Sequence, residues 1–191
     1  ALGAQLWVSH QGSVACDVAL GRGVAGAMTP ETVHNHYCVG KPFVAVAVAA
    51  LAAEGLLDLH APLDSHGLPD WAIPGFPCTV LDVLDHQVGL DAMAGIEFRL
   101  PPEELRPPVV AERIARARRR PAFSEVLGGL ILEEVLSTCA ADPTPARTVE
   151  RLVLEPLGLG SVAFDAEGAR RLRDSGLMSV PFGGLPDRPV P

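Results

Sequence analysis

Apolar and polar positions change period several times along this 191-residue chain, and each change marks an element. Residues 4–9 (Ala-Gln-Leu-Trp-Val-Ser) and 13–20 (Ser-Val-Ala-Cys-Asp-Val-Ala-Leu) flank His10-Gln11-Gly12, a pattern that predicts a β-hairpin. Gly21, Gly23 and Gly26 follow as a loop. No helix opens directly after them, so they do not read as a phosphate cradle. From Phe43 to Ala53 every residue is apolar, which reads as a helix buried on all sides rather than one with a wet face. Gly55 ends it. Pro42 is tolerated only where its missing N–H would have been unpaired, so the helix should begin close to Cys38.

Downstream, residues 58–77 are rich in Pro, Gly and His and predict a surface connection carrying Trp71. Thr79 to His86 reads as a short helix leading to a turn at Gly89. Pro101-Pro102 and Pro107-Pro108 bracket an irregular stretch. Helices are expected at about 109–118, at 125–138 and at 148–154, the last entered through Pro145 in its first turn. The segment from Ser175 to Pro191 reads as loop, and no internal repeat is visible.

The helix predicted from Phe43 carries the most suggestive chemistry. A thiol at Cys38 would stand at its start, with Lys41 three residues on and on the same face. A helix N-terminus and a nearby cation both favour a thiolate, so the pair suits an activated nucleophile. The alternative is a structural Cys beside a Lys that reaches the surface. His34 and His36 form a His-x-His pair, but no third ligand lies at recognisable spacing, so loop or core histidines are the better reading. His36 remains a polar neighbour of Cys38, and His86 either orders the turn before Gly89 or takes part in catalysis. Arg113, Arg116, Arg118, Arg119 and Arg120 form either a solvated helix face or a docking patch for an acidic partner or substrate.

Composition narrows the field. With 23 acidic and 15 basic side chains the net charge is −8, which argues against a general nucleic-acid or anionic-membrane surface. No apolar run reaches the roughly 18–20 residues a membrane span needs. The four cysteines, Cys16, Cys38, Cys78 and Cys139, lack metal-type pairing and are too sparse for a disulfide scaffold, so reduced, cytoplasmic thiols are expected. The first residue is not Met, which leaves a removed leader open. No metal or cofactor is expected.

Three stretches together carry a family resemblance. Cys38-Val39-Gly40-Lys41 with the segments Met28 to Val33 and Glu54 to Leu59, then Thr79 to Leu90 ending His86-Gln87-Val88-Gly89-Leu90, then Glu155-Pro156-Leu157-Gly158-Leu159, resemble the serine β-lactamase and penicillin-binding-protein superfamily. The class C-like branch of esterases and transacylases is the nearest match. The resemblance covers about residues 4–165. It places Cys38 where the family has the acylated Ser of S-x-x-K, and Lys41 as the residue that activates it.

The resemblance implies an α/β (α+β) fold: an antiparallel sheet flanked by helices plus an all-helical lobe. Residues 1–60 would hold the first hairpin and nucleophile helix, 61–165 the helical lobe, and 166–191 an irregular tail. Two departures stand out. The only stretch at the place of the family's second motif, Y-x-N, is Phe123-Ser124-Glu125, and Phe cannot serve as a base. The third motif has no counterpart up to Pro191. The C-terminal strands of the sheet are expected to lie outside residues 1–191, in a downstream segment or a second chain.

Two functions stay open at this point. One is an acyl-transfer enzyme, hydrolase or transacylase, that acts on an ester, thioester or amide through an acyl-Cys38 intermediate. Its substrate would be a small acyl compound, including one borne on an acidic carrier protein. The other is a catalytically silent member of the fold that binds an acyl or peptide-like ligand or serves as a scaffold.

Overall fold

The computed structural model describes residues 3–23, 26–34, 36–71, 78–88, 105, 126–142 and 144–175. Its elements are β1 (Gly3–His10), β2 (Ser13–Gly23), β3 (Gly26–Ala27), α1 (Lys41–Ala53), α2 (Val80–Leu84), α3 (Leu127–Cys139), α4 (Pro145–Val149) and α5 (Ala166–Asp174). The chain divides into two compact units, one from Ala1–Tyr37 with Gly160–Pro191, the other from Cys38–Leu159.

In the first unit the predicted hairpin is present and longer than the pattern indicated. Gln11 and Gly12 turn the chain with positive φ at both positions (49° and 79°), the geometry that two-residue hairpin loops require. The sheet is antiparallel with strand order β1-β2-β3. The third strand falls where the glycines predicted only a loop. Pairing sets Ala4 against Leu20, Leu6 against Val18 and Val8 against Cys16 on one face, and Gln5 against Ala19 and Trp7 against Asp17 on the other. The chain after β3 runs over this second face: the Gln5 side-chain amide donates to the carbonyls of Thr29, Pro30 and Thr32 at 2.7, 3.0 and 2.9 Å. Met28 lies so close over Gly3 that a Cβ there would meet its side chain at 2.5 Å.

Residues 166–174, expected as part of an irregular tail, form α5 instead. Asp165 caps it by accepting from the Gly168 N–H at 2.6 Å, while Arg171 and Arg173 sit in its last turn, where cations suit the helix dipole. Leu172 is its one large apolar residue, so no apolar period marks it in the sequence.

The second unit is helical and holds a full core. Within it α1 packs on α3, on α4 and on the π-helical turn Glu150–Leu154 that continues α4, while α2 packs on α3. Ala47, Val48 and Leu51 of α1 are buried against Leu127, Ile131, Val135 and Leu136 of α3 and Val149, Val153 and Leu154 beyond it. The expectation that α1 is buried on every side is not met: Val46 is 51% exposed, and Ala49 and Ala53 are exposed too. Among the described residues of α1, Ala47, Val48 and Leu51 are the fully buried ones.

The expected surface connection carrying Trp71 is also corrected. Two short 3-10 turns, Leu63–His66 and Pro69–Trp71, set Leu63, Leu68 and Trp71 into the core, with Trp71 only 2% exposed. A tryptophan buries some 150–250 Å² of surface, and its N–H needs a partner inside. Glu134 of α3 provides it, accepting from the indole Nε1–H at Oε2. The helix expected at 125–138 is α3, and the one expected at 148–154 starts three residues earlier, with Pro145 in its first turn. The helix expected at 109–118 lies outside the described residues. No helix among the described residues is long and apolar enough to cross a membrane.

Candidate active site

A single 3-10 turn, Tyr37–Gly40, leads straight into α1, whose first residue is Lys41. The α-helix therefore starts three residues later than Cys38. Pro42 explains the delay: an α-helix opening at Cys38 would need a bond from the residue 42 N–H to the Cys38 carbonyl, and proline has no N–H to give. Tightening the preceding turn to 3-10 geometry keeps Pro42 within the first turn, where that loss is free. In a 3-10 turn residues three apart eclipse one another, so this junction sets positions 38 and 41 on one face.

Cys38 is the exposed one of the four reduced cysteines; Cys16 and Cys139 are half-buried and Cys78 is buried. Burial pushes the Cys139 thiol above its usual range, which disfavours its thiolate. Lys41 is half-buried. The described residues thus present one readily reached thiol, and it belongs to the Cys-x-x-Lys sequence.

The histidines are placed as follows. His34 and His36 belong to the first unit, with ring centroids 4.3 Å apart and planes tilted by 39°. His34 Nδ1 is buried and has no hydrogen-bond partner among the described residues. Partial covering of the His36 ring, and then the neighbouring His34, hold His36 below the ordinary imidazole range. Among the described residues no group of three His, Cys, Asp or Glu side chains could hold a metal ion. His86 follows α2 with φ 56°, a left-handed backbone, and its N–H closes the turn onto the Val83 carbonyl at 3.2 Å. Thr79 starts that helix with a capping box: its Oγ1 accepts from the Asp82 N–H at 3.0 Å, and the Asp82 carboxylate accepts from the Thr79 N–H at 3.0 Å.

The Glu155 to Leu159 stretch forms the reversal that ends the π-helical turn, with Gly158 at φ 65° and Leu159 N–H on the Leu154 carbonyl at 2.9 Å. Phe123, Ser124 and Glu125, the arginines at 113–120 and Gly89-Leu90 lie outside the described residues. Sequence reading missed the Gln5 clamp and the Trp71–Glu134 pair, since neither depends on local spacing. Two local signals mark helix starts in the sequence, Thr-x-x-Asp at 79–82 and Asp165 ahead of α5.

Solved structures share this fold. The octameric penicillin-binding protein homologue from Pyrococcus abyssi superposes with a TM-score of 0.74 at 23% identity, over 97% of this chain and 44% of that one. EstCE1, described as a hydrolase with promiscuous acyltransferase activity, gives 0.64 at 22% identity, over 82% of this chain and 47% of that one. A family VIII carboxylesterase gives 0.63 at 22% identity, over 93% and 50%. The chain therefore spans about half the length of these structures. No curated protein matches it. The Beta-lactamase family model matches residues 1–191, the whole length, and the Cys-x-x-Lys turn sits at the head of α1 in a fold those structures share: the chain belongs to the β-lactamase family.

Proposed function

We propose that this chain carries the nucleophile of an acyl-transfer enzyme acting on an ester, thioester or amide, with Cys38 as the acylated residue. The observation that supports it is the exposed Cys38 thiol one 3-10 turn ahead of α1, with Lys41 opening the helix on the same face. Family membership and the hydrolase and esterase among its structural neighbours agree with acyl chemistry at the coarse level.

In this reading the Cys38 thiolate adds to the acyl carbonyl and backbone N–H groups stabilise the oxyanion. Collapse of the adduct breaks the bond to the leaving alcohol, thiol or amine, which takes a proton delivered through Lys41. The product is a thioester on Cys38 Sγ. Water or an acceptor nucleophile then attacks that thioester and the thiolate is restored. A thiol needs less base assistance than a hydroxyl, which bears on Phe123 standing where the family places its tyrosine. An acidic carrier protein is a fitting bearer of the acyl group, given the arginines at 113–120.

Phe123 is also the observation that favours a second reading, a silent family member that binds an acyl or peptide-like ligand. Lys41→Met separates the two. Under the acyl-transfer reading Lys41 passes the proton to the leaving group, so the variant should form the Cys38 thioester from an alkyl ester about a hundredfold more slowly, the low end of what a positioned general acid contributes. An unchanged rate, with the helical circular dichroism intact, would remove Lys41 from the mechanism.

A further inference from the structure

His34 and His36 take no part in the acyl chemistry proposed for Cys38, yet the first unit holds the segment leading to them firmly. The Gln5 amide donates to the Thr29, Pro30 and Thr32 carbonyls, the last of these two residues before His34. The same turn is closed from within: Thr32 Oγ1 accepts from the Thr29 N–H at 2.9 Å, and the Thr32 N–H donates to the Thr29 carbonyl at 3.0 Å. Binding sites need their side chains on fixed supports, and this turn supplies one.

Two observations of the pair itself point to an ion. The first is spacing, with ring centroids 4.3 Å apart. An imidazole bound through one nitrogen at about 2.0–2.1 Å has its ring centre about 3 Å from the ion, so two of them at a right angle have centres about 4–4.5 Å apart, and at a tetrahedral angle about 5 Å. The pair fits the right angle. The second is His34 Nδ1, which is buried and has no hydrogen-bond partner among the described residues. A buried nitrogen left unpaired is costly, and an ion on its lone pair removes the deficit. His34 is half-buried and His36 exposed, so one ring anchors the site while the other opens it to solvent.

This is not a closed structural site. Structural zinc is held by four protein ligands, and among the described residues no group of three His, Cys, Asp or Glu side chains could hold an ion. Two imidazoles leave the remaining positions to water, so the ion exchanges. Imidazole suits Zn²⁺, Cu²⁺ and Ni²⁺, and a right-angled, tetragonal arrangement suits Cu²⁺ and Ni²⁺ in particular. We propose that His34 and His36 form an exchangeable site for a divalent transition-metal ion of the Cu²⁺ or Ni²⁺ type, with His34 Nδ1 as one ligand and a ring nitrogen of His36 as the other.

The test is a calorimetric titration of the full 191-residue chain with Ni²⁺ alone, a probe that does not oxidise thiols as Cu²⁺ does. One ion should bind per chain. His34→Ala and His36→Ala should each weaken binding about a hundredfold, the low end of what a second attachment point adds. His36 is exposed, so its variant should keep the helical circular dichroism and serves even where His34→Ala disturbs the loop. Cys38→Ala, His10→Ala and His60→Ala should leave the titration unchanged, which separates this site from the thiol and from the other exposed imidazoles. Absence of binding would overturn the proposal. So would binding that His36→Ala leaves unaltered, or that Cys38→Ala abolishes, since the ion would then be held elsewhere.

Discussion

The hairpin unit and the helical unit are written in much the same apolar alphabet, yet they use it differently. Every buried apolar side chain among the described residues, from Ala47 to Leu154, belongs to the helical unit. The hairpin has Leu6, Trp7, Val8, Val14, Val18 and Leu20, all exposed. The difference is one of layers. A helix stripe is buried as soon as another helix lies on it, and α1, α3 and α4 do this for one another. A sheet needs a second layer on its apolar face, and only the polar-bearing face of this one meets the chain that follows it.

Paired truncations should show this contrast with the largest effect. Leu51→Ala empties a fully buried position in the helical unit and should cost about 2–5 kcal/mol in denaturant unfolding. Leu6→Ala, the same chemical change on the open face, should stay within about 0.5 kcal/mol. Equal losses at the two sites would mean that the hairpin face is covered after all.

A smaller effect tests a charged contact at the core of the helical unit, Trp71 with Glu134. Trp71→Phe removes the indole donor to Glu134 and should cost about 1.5–3 kcal/mol, the range for hydrogen bonds to charged groups. A loss below 0.5 kcal/mol, by the same denaturant titration, would make that contact incidental.

The smallest effect belongs to the first unit and depends on pH. His36 titrates below its ordinary value of 6.5 when folded, so on acidification the unfolded chain takes up this proton first. Stability from the neutral ring is complete above pH 6.5 and declines as pH falls from there toward the lower folded value. His36→Asn should flatten that part of the stability profile. An unchanged slope between pH 6.5 and 5 would assign the acid sensitivity to other groups.

Much of this was legible in advance where the signal is local. Alternating residues around His10-Gln11-Gly12 gave the hairpin, Pro145 marked the first turn of α4, and the Cys38 to Lys41 spacing with its downstream partners identified the family. What escaped depends on contacts distant in sequence. Trp71 looked like a loop residue because its partner, Glu134, is far along the chain, and the open side of α1 depends on which helices reach it. Helix α5 escaped for another reason: Asp165, Arg171 and Arg173 stabilise it through capping and dipole, which leave no apolar period to read. Even the start of α1 was moved by one missing donor, at Pro42.

Whether Cys38 accepts an acyl group can be read directly by mass spectrometry. Residues 1–191 are incubated with p-nitrophenyl acetate at neutral pH, digested, and mapped by mass spectrometry, with Cys38→Ala as the control. A single acetyl thioester on Cys38 is expected, cleaved by hydroxylamine and lost in the control. Acetylation confined to Lys41, to Cys16 or to no residue would contradict it.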